Sequence, residues 1–139
     1  MKGYMPKYSV DSLRKLNECH PDLQTLFKEV INHFDNTIIC GHRGEAEQNA
    51  AFNSGHSKLK YPKGKHNSNP SNALDARPFP FDNDLGRFKY FAGFVLGIAA
   101  MLKAQGKITH SIRWGGDWNM NNILSDNSFN DLFHFEIHD

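Results

Sequence analysis

The segment DLFHFEIHD, residues 131–139, alternates between apolar and polar side chains. Phe133, Phe135 and Ile137 fall on one side and His134, Glu136 and His138 on the other, the period-two pattern of a strand with one face in a core. The other face meets something wet or metallic. Working outward, further strands are expected at TIIC (37–40), NALDARP (72–78) and SIRW (111–114). Between them lie helical segments. Ser9 can cap a short first helix, and Pro21 suits the first turn of a second, in which Leu23, Leu26, Phe27, Val30, Ile31 and Phe34 recur at three- and four-residue steps. GEAEQNAAFNSG (44–55) reads as a helix ended by Gly55. YFAGFVLGIAAML (90–102), flanked by Arg87, Lys89 and Lys103, is shorter than the roughly 20 residues a bilayer requires. It reads as the buried central helix, with Gly93 and Gly97 allowing close packing on a sheet. The strands are too unevenly spaced for repeated βαβ units, so the expected fold is α+β: a small antiparallel or mixed sheet with helices packed on one side.

Composition fits a soluble globular chain of one domain spanning residues 1–139, with 39% apolar and 22% charged residues and a formal charge of +1. That balance excludes a dedicated nucleic-acid binder, which would show a clustered basic face. The N-terminal MKGYMPKYSVDSL has Lys2 but no apolar core of a secretory signal, so the chain is expected to be made in the cytoplasm. Two cysteines, Cys19 and Cys40, make no disulfide scaffold, and Cys40 reads as a small buried residue.

The stretch KGKHNSNPSNALDARP (63–78) carries His66 in a polar loop and Asp75 in the short apolar piece after it. A solvated histidine and a turn-capping aspartate would account for both. With His134, however, they form two imidazoles and a carboxylate, the ligand set of a catalytic zinc that keeps a fourth position for water. Asp131, three residues before His134, can approach that water as a base, and Glu136 is the reserve candidate. Arg43 follows a strand in CGHRGEAEQ, where a fixed guanidinium could hold a carboxylate or polarise a carbonyl. Gln48 either supports Arg43 or faces solvent. Trp114 and Trp118 in RWGGDW either line a groove or pack in the core. Asp117, Asn119 and Asn121 match the first side-chain positions of a calcium loop but lack its glycine and final glutamate, leaving an Asn-rich turn as the default. His20, His33, His42, His56 and His110 show no paired spacing and read as surface or capping residues; His138 is a spare on the face of His134.

The blocks GHRGEAEQ, KHNSNPSNALD, RWGGDW and DLFHFE, in this order, resemble the zinc D-alanyl-D-alanine carboxypeptidase and L-alanyl-D-glutamate endopeptidase family, in particular its small phage endolysins. The likeness covers residues from about 37 to 137. It implies a hedgehog/D-Ala-D-Ala-peptidase-like fold, Zn2+ on His66, Asp75 and His134, Asp131 as the catalytic carboxylate and Arg43 as the substrate-binding arginine. The interval from His66 to Asp75 is longer than the family's commonest one and matches a phage branch with an N-x-x-P-S insertion.

What the resemblance implies is cleavage of the L-alanyl-D-glutamate bond of the peptidoglycan stem peptide by a monomer that acts on the wall after release, with no nucleic-acid partner and no membrane span. The alternatives are a D-alanyl-D-alanine carboxypeptidase or dipeptidase and a non-catalytic zinc-binding module; a His/Asn nuclease is weaker, because a basic phosphate-binding surface is missing. Little material remains near His134 to roof the pocket, so an open groove and internal cleavage are expected.

Overall fold

The computed structural model describes residues 5–127 and 129–139. In chain order its elements are α1 (Val10–Leu16), α2 (Pro21–Val30), β1 (Asn36–Cys40), α3 (Glu45–Asn53), a 3-10 turn (Lys65–Asn67), β2 (Ala73–Pro78), α4 (Leu85–Ala104), β3 (Ser111–Gly115) and β4 (Asp131–His138). The four strands form one sheet in the order β1-β2-β4-β3, with every pairing antiparallel. The α+β expectation holds, and the sheet is antiparallel rather than mixed.

Local chemistry explains the helix starts. The Ser9 side chain accepts the Ser12 N–H at the head of α1, and Pro21 opens α2 while the His20 ring accepts the Asp22 N–H. The α2 stripe buries Leu23, Leu26, Phe27, Val30 and Ile31. Phe27 of α2 and Phe91 of α4 meet Phe135 edge-on, with centroids 5.5 and 6.1 Å apart. Phe135 thus anchors the apolar face of the sheet, as the alternation in β4 predicts. Gly55, at φ +83°, supplies the left-handed turn that ends α3.

Helix α4 departs from expectation. It is 20 residues long, extended at its start by an Asp84 cap that accepts the Arg87 N–H. By length and composition it could cross a bilayer, yet Phe88, Phe91, Ala92, Val95, Ile98, Ala99 and Leu102 are buried within the domain. Gly93 and Gly97 do not mediate close packing: both lie on the outer face, where an added Cβ would meet nothing within 4 Å. Periodicity finds a helix but cannot say which arc of an almost wholly apolar one faces inward.

Two irregularities aim side chains at the polar face of the sheet. A register shift between Ile38 and Cys40 places Cys40 opposite Asp75. A second, between Trp114 and Gly115, brings Gly115 opposite Asp131. A side chain at Gly115 would run into the Asp131 carbonyl, so this crossing requires glycine.

Candidate metal centre and active site

The pairing of β2 with β4 sets Asp75 directly across from His134, and the pairing of β3 with β4 sets Arg113 across from Glu136. His66 arrives from the 3-10 turn. His66 Nε2, Asp75 Oδ1 and His134 Nδ1 stand 3.2, 3.3 and 3.3 Å from one another. A tetrahedron with ligands about 2.0–2.1 Å from its centre has edges of about 3.3–3.4 Å, so this spacing is that of three ligands on one zinc-sized ion.

The atoms behind the donors fit the same reading. His66 Nδ1 donates to the Gly41 carbonyl at 2.7 Å, and His134 Nε2 donates to Glu136 Oε1 at 2.8 Å. Each contact fixes the ring tautomer and turns the other nitrogen's lone pair toward the centre. Asp75 Oδ2 is taken by Arg43 at 3.4 Å, leaving Oδ1 for the centre. Glu136 Oε2 is gripped by Arg113 Nε at 3.1 Å and by a terminal nitrogen at 2.7 Å.

Electrostatics point the same way. Burial opposes charge on His66, but Asp75 outweighs it and pushes that ring up to about 10. Burial likewise opposes charge on His134, yet Asp75 and Glu136 raise it. Burial would raise Asp75 too; the two rings hold it far below the usual carboxylate range instead. Three donors facing one point demand positive charge there, from protons on the rings or from a metal cation. Glu136 is held down to about 2 against its burial, by His134 and then Arg113.

Asp131 Oδ2 lies 3.9 Å from His134 Nδ1, farther than the three donors lie from each other, and borders the cleft. Burial, then the charge of Asp75, raises its pKa above the ordinary value. Arg43 is pinned by Gln48 Oε1 at 3.0 Å as well as by Asp75. Gln48, 1% exposed, also donates to the Leu59 carbonyl at 2.6 Å and to Ser57 Oγ at 2.9 Å, and so ties Arg43 to the following loop.

These groups line a cleft of about 480 Å³. One wall is residues 56–65; the other holds Trp118 and Phe129, stacked at 6.3 Å, with Trp118 also 5.6 Å from the His134 ring. The walls meet where the Lys58 ammonium stands 5.0 Å over the Phe129 ring. The expected groove is therefore spanned at one point by this contact, between walls that come from loops with no regular pattern to read.

The structure brings Arg43, His66, Asp75, Asp131 and His134 together. The phage L-alanyl-D-glutamate peptidase family model matches residues 5–138. The chain belongs to that family. The enzyme is thus a peptidase of peptidoglycan. Its fold resembles that of the Serratia marcescens L-Ala D-Glu endopeptidase ChiX, with a TM-score of 0.71 at 19% identity over 96% of this chain and 91% of that one. No curated protein matches the chain.

Other residues of the peptidase resolve as follows. Trp114 is a core residue whose indole N–H donates to the Leu132 carbonyl, whereas Trp118 lines the cleft. Cys40 is not fully buried: its sulfur lies 3.8 Å from His66 Nδ1, behind the centre. Glu136 is no reserve base, since both its oxygens are engaged. His20, Asp22 and His110 form a second cluster of potential donors. There Asp22 Oδ2 accepts the Thr109 and His110 N–H groups and the His110 ring, a cap joining α2 to the loop before β3. Asn119 and Asn121 donate to Asp126 while Asp117 accepts the Asn122 N–H, so the three residues do not converge as a calcium loop would. Sequence reasoning missed the bracing by Arg113 and Glu136 and by the Gly41 carbonyl; the alternation that put Glu136 on the face of His134 was the available signal.

Proposed function

We infer that the chain is a zinc peptidase that cuts the L-alanyl-D-glutamate bond within the peptidoglycan stem peptide, with His66, Asp75 and His134 as ligands. The observation that carries this is the spacing of the three donor atoms at 3.2–3.3 Å, each with its outer atom already tied. A bound zinc supplies a Lewis acid that brings the pKa of a water to about 7 and polarises a carbonyl. Asp131 takes the proton of the attacking water and returns it to the leaving nitrogen, a role suited to a carboxylate whose pKa is raised by burial. Arg43, fixed by Gln48, holds the substrate beside the scissile carbonyl and stabilises its oxygen as negative charge develops. Trp118 and Phe129 form the aromatic wall that limits water. The enzyme works as a monomeric single domain on the wall, after release from the cell that makes it.

Digestion of purified peptidoglycan, with mass spectrometry of the new termini, tests the reading. An N-terminal D-glutamyl residue and an L-alanine carboxylate are expected, both lost on chelation and restored by zinc. Release of D-alanine or D-alanyl-D-alanine as the main product would overturn it.

A further inference from the structure

Residues 56–65, HSKLKYPKGK, carry four lysines and no acid, in a chain whose formal charge is only +1. Two of the four already have structural partners, although Lys65 also borders the cleft. Lys60 stands 5.1 Å over the Phe52 ring, and Lys65 donates to the Ile137 carbonyl at 3.1 Å. Lys58 and Lys63 remain, both lining the cleft. Among the described residues neither is paired with a carboxylate; Lys58 has only the Phe129 ring.

The acids of the cleft cannot answer them. Asp75 is committed to Arg43 and the two histidines, Glu136 to His134 and Arg113, and Asp131, whose nearest cation is His134 at 3.9 Å, makes no ion pair with either lysine among the described residues. Arg113 is taken by Glu136, and Arg43, fixed by Gln48 and Asp75, is assigned to the scissile carbonyl. One wall therefore presents two uncommitted ammonium groups to whatever lies in the cleft. A glutamyl residue bonded through its nitrogen to alanine continues the chain through one carboxyl group and can keep the other as a free carboxylate.

We propose that Lys58 and Lys63 form the subsite for the free carboxylate of the D-glutamyl residue on the leaving side of the scissile bond. The proposal rests on the reading of the cleft given above. A charge-assisted hydrogen bond to a carboxylate in a part-desolvated cleft outweighs an ammonium resting on an exposed ring, so Lys58 leaves Phe129 when that carboxylate arrives. The same exchange parts the two walls and admits the peptide. Amidation of the carboxylate removes the charge that drives it, making the enzyme selective for the acid form.

The test uses the zinc-loaded full chain and two synthetic stem peptides that differ only in carrying this group as carboxylate or as carboxamide. Wild type should prefer the carboxylate by about tenfold or more in kcat/KM. Lys58→Gln with Lys63→Gln should raise KM for the carboxylate peptide by about that factor, with kcat within roughly twofold and the carboxamide peptide unaffected. Lys58→Arg with Lys63→Arg should retain the preference, and Lys60→Gln should behave as wild type on both peptides. An equal loss on both peptides, a loss in kcat alone, or an equal effect of Lys60→Gln overturns the proposal. A second arm titrates both peptides into zinc-loaded Asp131→Asn protein by calorimetry, so the subsite is judged even if wild type cleaves neither peptide. A carboxylate preference that vanishes on adding the two Gln substitutions upholds it; equal affinities overturn it.

Discussion

Glu136→Gln should weaken zinc binding by roughly 10- to 100-fold, about 1.4–2.7 kcal/mol, without unfolding the protein. The reason is a conflict over one amide. Glu136 accepts from His134 Nε2 through Oε1 and from Arg113 through Oε2, so both of its oxygens meet donors. Glutamine has a single acceptor oxygen. If that oxygen faces His134, its NH2 group confronts the Arg113 donors; if it faces Arg113, the NH2 group confronts His134 Nε2 and favours the tautomer with its proton on Nδ1. That tautomer cannot ligate, because Nδ1 is the atom 3.3 Å from both His66 Nε2 and Asp75 Oδ1. Competition against a chromogenic chelator at pH 7 reads the affinity, and thermal unfolding of metal-free protein shows that the fold is intact. Adding Arg113→Met removes the competing donors and should recover part of the loss. Zinc affinity within twofold of wild type in Glu136→Gln would refute the tautomer argument.

Replacing His66, Asp75 or His134 singly with Ala should remove most of the bound zinc, which metal analysis will show; stoichiometric zinc in all three variants would sink the assignment. Asp131→Asn should keep zinc and fold yet lose activity by about a hundredfold or more, and near-normal turnover would move the base elsewhere. Arg43→Lys should also impair turnover, because a point charge cannot meet Gln48 and Asp75 together and still face substrate; unchanged kcat/KM would contradict this. Asp22→Asn should lower the melting temperature by roughly 5–10 °C at neutral pH, for a loss of about 2 kcal/mol. Burial opposes the Asp22 charge, but the His110 ring and the Thr109 and His110 N–H groups outweigh it, so its folded pKa is depressed. The contribution is therefore complete above the unfolded value of about 3.9 and lost as pH falls through the folded pKa. The gap between wild type and variant should close in acid, and a gap constant from pH 7 to pH 2 would exclude the charge as its source.

Much of the fold was legible because the information is local. The alternation in residues 131–138 set the strand and its two faces, the stripe from Leu23 to Ile31 set the inner face of α2, and Ser9 and Pro21 marked helix starts. Residue type alone also named the chemistry, since two imidazoles and a carboxylate suit few tasks so well as holding a metal. Convergence was not local. Of eight histidines only two meet Asp75, and they do so because the β2–β4 register places Asp75 across from His134 while a loop returns His66 between them. The two register shifts that aim Cys40 and Asp131 at this centre depend on strand pairing, which no single segment encodes. Trp114 and Trp118, four positions apart, separate into core and cleft because the strand ends between them. Residue types and their periods decided what this chain can do chemically; which of those residues do it was decided by contacts between segments far apart in sequence, and such contacts exist only once the sheet has closed.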